Sequence, residues 1–164
     1  MKRLALALVL LPLAASWVFV AARPEAKPPA KAPTNTVTLN GHTFTLPPGF
    51  EIELVAGPPL VNRPIVADFD EQGRLYVADS SGSNDKVADQ LVKRPHRIVR
   101  LEDSRGDGRF DRATVFADRM MFPEGTMWLA GSLYVSAPPS IWKLTDTRGT
   151  GTADQRSDGS RARR

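Results

Sequence analysis

From Val37 onward, apolar and polar residues alternate with period two. Val37-Thr38-Leu39 and Thr43-Phe44-Thr45-Leu46 flank Asn40-Gly41. That dipeptide suits a type I′ turn, because both central residues need positive φ. Pro47-Pro48-Gly49 ends the hairpin. Phe50 to Val55 alternates apolar with acidic residues and predicts a half-buried strand. Further strands are predicted at Ile65–Phe69, Arg74–Ala78, Arg97–Leu101, Ala113–Phe116, Thr126–Leu129, Ser132–Ser136 and Ser140–Leu144. Gly, Asp, Asn, Pro and Ser fill the turns between them. Asp85 to Lys93 predicts one helical turn or a mobile loop, and no other helix follows residue 36. Many short strands with regular turn signals predict an all-β sandwich, barrel or propeller.

An internal repeat narrows the choice. Ile98-Val-Arg-Leu-Glu-Asp103-Ser-Arg-Gly-Asp-Gly-Arg-Phe-Asp111 recurs as Ile141-Trp-Lys-Leu-Thr-Asp146-Thr-Arg-Gly-Thr-Gly-Thr-Ala-Asp154, offset by 43 residues. Upstream, the segment Gly73 to Ala78 resembles Gly131 to Ser136, offset by 58. The first unit therefore holds a 15-residue insertion, which falls between Ala78 and Arg97. A repeat near 43 residues with about four strands fits a propeller blade. The expected fold is an all-β partial β-propeller of about two to two and a half blades, against the 4–8 of closed propellers. It spans residues 37–154 and follows an N-terminal signal helix. Residues 155–164 carry no apolar residue beyond one Ala and read as a disordered basic tail. The expectation is a truncated or frame-shifted gene product.

The start of the chain has a different pattern. Lys2 and Arg3 precede an uncharged apolar run from Leu4 to Ala22, and Val20-Ala21-Ala22 suits signal peptidase. Residues 1–22 are expected to be a signal peptide, or an uncleaved signal anchor, since 19 apolar residues can just span a bilayer. Pro12 and Ser16 interrupt the run and favour cleavage. A buried core helix is the third reading; the positive start and Pro-rich exit argue against it. Residues 23–36 form a Pro/Ala/Lys-rich linker that favours extended polyproline II geometry. The expected location is exported: periplasmic, or anchored to the outer face of the cytoplasmic membrane.

Composition removes several functions. The chain has no cysteine, so disulfides and a CxxCH haem site are excluded within it. The net charge of +4 comes from the ends, while the middle is nearly balanced. Without basic residues and aromatics gathered on one face, a nucleic-acid partner is not expected. No phosphate loop, nucleophile elbow or HExxH motif is present.

Residues 49–82, GFEIELVAGPPLVNRPIVADFDEQGRLYVADSSG, resemble the start of a bacterial family of membrane-bound dehydrogenases. RIVRLEDSRGDGRFDRATVFAD and FPEGTMWLAGSLYVSAPPSIWKLTDTRGTGTAD extend the resemblance to about Asp154. That family is similar to the soluble quinoprotein glucose and sorbosone dehydrogenases. The resemblance implies a six-bladed propeller with a central site, often followed by helical repeats and a c-type haem module. It also implies pyrroloquinoline quinone (PQQ) and calcium, and oxidation of a sugar hydroxyl or aldehyde with a histidine base. Neither His42 nor His96 sits in a motif that matches that base.

Asp103, Asp107 and Asp111 are the candidate calcium ligands. They hold loop positions 1, 5 and 9 of part of the EF-hand spacing, with Gly108 at position 6. Arg105 at position 3 and Thr114 at position 12 break that pattern, and family members often carry D-x-D-G-D-G-x-x-D here. The alternative is an Asp/Gly turn joining two strands. In the second copy Thr150 replaces the middle Asp, which leaves Asp146 and Asp154 in turn chemistry. Asn62-Arg63-Pro64, Asp68, Asp79-Ser80-Ser81-Gly82 and Glu124 are weaker candidates for loops facing a central channel. Asp70-Glu71-Gln72-Gly73 reads as a hairpin turn, and Trp128, Tyr134 and Trp142 as core.

The expected function is an exported N-terminal fragment of a dehydrogenase-like propeller, not active alone. Its partners would be a carbohydrate or quinone ligand, and the membrane if the anchor is kept. A carbohydrate- or protein-binding module without catalysis is the second reading, and a small β-sandwich the third. Open strand edges and bare blade faces would favour self-association.

Overall fold

A computed structural model describes residues 35–159. The expected signal segment, the linker up to residue 34 and residues 160–164 lie outside the described residues. None of the described helices is long and apolar enough to cross a membrane.

The predicted first hairpin is present. β1 (Asn35–Leu39) pairs antiparallel with β2 (His42–Leu46), and Leu39 faces His42 across the turn. Asn40 (φ 50°) and Gly41 (φ 77°) supply the two positive φ values that a type I′ turn requires. β1 takes in Asn35 and Thr36, so strand structure begins inside the segment expected to be linker.

Two four-stranded antiparallel meanders follow. The first sheet runs β3 (Pro64–Phe69), β4 (Leu75–Asp79), β5 (His96–Glu102) and β6 (Arg112–Met120). The second runs β7 (Gly125–Leu129), β8 (Ser132–Ala137), β9 (Ser140–Thr145) and β10 (Gln155–Asp158). In both, spatial order is sequence order, as short turns between antiparallel neighbours favour. The predicted insertion lies where the repeat places it. Residues 80–95 join β4 to β5 and carry the helix α1 (Val87–Lys93), whereas only Pro138-Pro139 joins β8 to β9.

Two expectations fail. Phe50 to Val55 forms no strand, although its alternation is right. A strand needs a partner ladder as well as a pattern, and among the described residues only the Phe110 N–H bonds this segment across space, to the Val55 carbonyl at 3.0 Å. Residues 155–158, expected within a disordered tail, form β10 instead. Gln155 faces Thr145 and Asp158 faces Trp142. The polar sequence hides this strand because three of its four residues are exposed. Backbone pairing and the Arg156–Asp118 ion pair (3.1 Å) hold it without an apolar face.

The main core lies between the sheets. Tyr76, Ile98, Phe116 and Met120 of the first meet Leu133, Val135 and Leu144 of the second, joined by Ala153 in the turn before β10. Ile98, Leu133 and Leu144 are fully buried. Each is worth about 1.5–3 kcal/mol on transfer from water. The Tyr76 ring meets Phe116 edge-on at 4.8 Å and stacks on Trp128 of β7 at 4.7 Å. Polar bonds add direction: Asp68 accepts the Trp128 backbone N–H at 2.7 Å, and Glu71 accepts its indole N–H at 2.6 Å.

A second cluster covers the other face of the first sheet. Val77, Val99 and Leu101 pack with Val61, flanked by Ala56, Leu60 and Phe110. β4 is thus covered on both sides, so Tyr76 through Asp79 are all buried.

Candidate functional site at the loop end of the sheets

Register divides the molecule into two ends. Pro64 faces Asp79, Asp79 faces Arg97, and His96 faces Met120, so these residues cross one end of the first sheet. At the same end of the strands, Gly125 faces Ser136 and Ala137 faces Ser140 in the second. Asn62, Arg63, Ser80, Ser81 and Glu124 adjoin these strand ends in sequence. The opposite ends carry the tight turns: Asp70 to Arg74, Asp103 to Asp111 and Asp146 to Asp154. Hence the calcium candidates sit at the opposite strand ends from residues 62–64, 79–82 and Glu124, whereas Asp68, facing Tyr76 next to the Asp70 turn, lies at the turn end.

At the turn end the carboxylates are taken up by the protein's own donors. Asp103 accepts backbone N–H groups from Arg105, Gly106 and Asp107 on one oxygen and from Gly108 (2.8 Å) on the other. The Gly108 N–H leads the group that holds the Asp103 carboxyl below its usual range. Asp111 accepts the Ser104 N–H and hydroxyl at 2.9 and 2.7 Å, and this lowers its carboxyl likewise. Arg105 pairs with Asp107 at 3.0 Å and approaches Asp111 at 3.6 Å. Among the described residues no three His, Cys, Asp or Glu side chains converge as a metal site. Four N–H donors point at Asp103, and a guanidinium stands between the other two carboxylates. That donor set suits a self-capped turn and does not fit calcium, which wants several oxygens aimed at one point.

The second copy repeats this chemistry. Asp146 accepts N–H groups of Thr150 and Gly151, and Asp154 accepts the Thr147 N–H and hydroxyl and the Arg148 guanidinium. Asp70 is a third closed turn. It accepts N–H groups from Gln72 and Arg74, the Arg74 guanidinium and the Tyr76 hydroxyl. Burial works to raise its carboxyl, but the Arg74 and Gln72 bonds outweigh that and lower it. Burial pushes the Tyr76 hydroxyl up to about 12.

The loop end holds two buried polar networks. Asp79 is 2% exposed. One oxygen accepts the Asn62 and Arg63 N–H groups at 3.1 and 2.7 Å; the other accepts Arg97 Nε and Nη2 at 2.9 and 2.7 Å. One carboxylate thereby ties the entry to β3, the end of β4 and the start of β5. The Ser80 N–H, bonding the Arg63 carbonyl at 2.9 Å, closes the arrangement. Asn62, Arg63, Ser80, Ser81, Pro95 and Arg97 border a polar cavity over Asp79. Gly82, at φ 72°, lies against the Arg63 guanidinium, and a side chain there would displace it.

His96 forms the second network and is also 2% exposed. Its Nδ1 accepts the Ser81 N–H at 3.1 Å, so Nε2 carries the proton and donates to Gln90 Oε1 at 3.0 Å. Gln90 Nε2 donates in turn to the Asp85 carbonyl at 2.7 Å, and the ring packs on Phe122 at 4.9 Å. Burial lowers the His96 pKa, so the ring is neutral at pH 7. Both nitrogens serve to pin α1 and its loop. Nothing in the sequence around His96, between Pro95 and a strand, signals its burial. His42 starts β2 and is exposed.

Glu124 is exposed, and its backbone N–H bonds the Ser136 carbonyl at 2.9 Å. Trp128, Tyr134 and Trp142 are partly buried strand residues, of which Trp128 and Trp142 pack on the main core.

Twin four-stranded meanders, with a polar loop end on the first, define the class of this domain. The chain belongs to a domain family of unknown function, DUF7133, which matches residues 38–160. No curated protein and no solved structure matches it.

Proposed function

We propose that the two sheets are consecutive blades of a β-propeller of the quinoprotein sugar-dehydrogenase-like class. In this reading the chain supplies scaffold and ligand-facing loops at the loop end, outside the cytoplasm. One observation carries the propeller reading. Ala153 donates its N–H to the Phe116 carbonyl of β6 at 2.8 Å, and Phe110, its counterpart 43 residues earlier, donates to Val55 at 3.0 Å. Each sheet thus docks backward through the same residue of the repeat. Phe50 to Val55 stands to the first sheet as β6 stands to the second, which is the relation between neighbouring blades.

The chemistry of the loop end favours binding over turnover. A histidine base needs a free nitrogen, and both nitrogens of His96 are engaged. The other histidine, His42, lies on the separate β1–β2 hairpin. No step is assigned to PQQ or calcium; among the described residues no three His, Cys, Asp or Glu side chains converge on one point. Dye-coupled oxidation of a sugar panel at saturating PQQ and calcium, with parallel binding titrations, tests the reading. The expected result is binding of sugar or quinone without dye reduction. Dye reduction lost on His96→Gln would overturn the scaffold role. Absence of binding to sugar and quinone alike would overturn the dehydrogenase-like class and leave a protein-binding module.

A further inference from the structure

β6 is irregular where it passes α1. Along β5 the register moves two residues, from His96 to Ile98, while along β6 it moves three, from Met120 to Ala117. The extra residue makes a β-bulge, and Arg119 takes φ 52° there. Bulges re-aim side chains, and non-glycine residues at positive φ are uncommon. At the end of α1, Arg94 is also left-handed, at φ 47°. Arg94 and Arg119 border one cavity of about 100 Å³ together with Arg156 of β10.

Among the described residues no acidic side chain lines this cavity. Arg156 is compensated by Asp118, through its carboxylate at 3.1 Å and its carbonyl at 2.8 Å. The Arg94 guanidinium makes one long bond among the described residues, to the Leu91 carbonyl at 3.4 Å. The Arg119 guanidinium has no hydrogen bond or ion pair among the described residues. Two guanidiniums are therefore left without a carboxylate at the rim. The walls beneath them are apolar: Met120 and Met121 are buried, and Leu91 and Pro138-Pro139 complete the lining. Trp142 is held there by its indole N–H on the Ala137 carbonyl at 3.1 Å.

We propose that this cavity binds a short-chain aliphatic carboxylate. Its apolar body sits against Met121 and Trp142, and its carboxylate meets Arg119 and Arg94. A hydrated inorganic anion gains nothing from such walls, and a neutral apolar molecule gains nothing from such a rim. A cavity near 100 Å³ has room for roughly four heavy atoms, which limits the body to a short branched chain. Among the described residues the site shares no lining residue with the polar cavity over Asp79.

NMR titration with 3-methylbutanoate tests this, read at the Trp142 indole and the Arg119 amide. Saturable shifts at both are expected. The carboxylate should bind Arg119→Asn about tenfold more weakly, because one charge-assisted contact is lost, and the neutral 3-methylbutanamide should bind the wild type more weakly still, because both are. Asn tolerates the left-handed backbone, so that variant keeps the fold; Arg94→Asn provides a second variant of the same kind. No saturable shift, equal binding of the amide, or wild-type affinity in both variants overturns the proposal. Displacement by phosphate at equal concentration overturns the apolar-body part.

Discussion

The first and second sheets are the same meander with different loop ends. At the turn end the repeat keeps its chemistry: Asp103 and Asp146 collect backbone N–H groups, and Asp111 and Asp154 clasp the residue after each. At the loop end almost nothing is kept. Asp79 corresponds to Ala137, Arg97 to Ser140 and His96 to Pro139, so the buried ion pair and the histidine network exist only once. The faces differ too. Residues 56–61 cover the first sheet, whereas Met127, Leu129 and Ile141 of the second are half or more exposed. Features that close a strand pair recur with the repeat; features that could meet a ligand do not.

The largest test attacks what the sheets share. Tyr76→Ala removes the ring that joins Phe116 to Trp128 and should cost about 3–5 kcal/mol in urea unfolding. A loss confined to probes on one sheet would show that the sheets unfold independently. The tyrosine also gives an alkaline limit. The folded state holds its proton to about 12, while an unfolded tyrosine loses it near 10. Stability is therefore complete below about pH 10 and falls as pH rises toward 12. Tyr76→Phe should flatten that decline.

The next test converts one loop end toward the other. Asp79→Ala leaves Arg97 and two N–H groups without their acceptor. We expect a loss of about 2 kcal/mol, less than for a fully buried pair because Arg97 keeps some solvent. Asp79→Ala with Arg97→Ser reproduces the second sheet's residues and should recover about half of it. A double variant as weak as the single one would mean that the N–H groups, not the ion pair, set the cost.

A smaller effect should appear with pH. Burial lowers the His96 pKa, so the unfolded chain binds the proton first as pH falls. Stability from this site is complete above about pH 6.5 and declines below it, by at most about 1.4 kcal/mol per pH unit. His96→Gln should remove that slope, which hydrogen exchange at Ser81 and Gln90 can follow. The smallest effect is expected at the turns. Asp103→Asn and Asp146→Asn should lower the melting temperature slightly and equally, and calcium should move it by less than about 1 °C. A calcium-dependent rise abolished by Asp103→Asn would restore the metal reading.

Much of the fold was legible in the chain. Period-two alternation and the 43-residue repeat located nearly every strand, because a sheet with one buried face imprints its pleat on the sequence. Asn40-Gly41 named its turn for the same local reason: positive φ limits the choice of residue. The insertion was legible from the offset alone. The two misses, Phe50 to Val55 and Gln155 to Asp158, are segments in which pattern and pairing disagree. Whether an extended segment finds a ladder depends on what lies beside it, and only the tertiary structure decides that. It likewise decided that the Asp103 loop closes on its own amides, that His96 is buried between α1 and Phe122, and that three arginines border one cavity with Trp142. Those residues are far apart or unpatterned in sequence, and no local preference foretells what chain packing brings together.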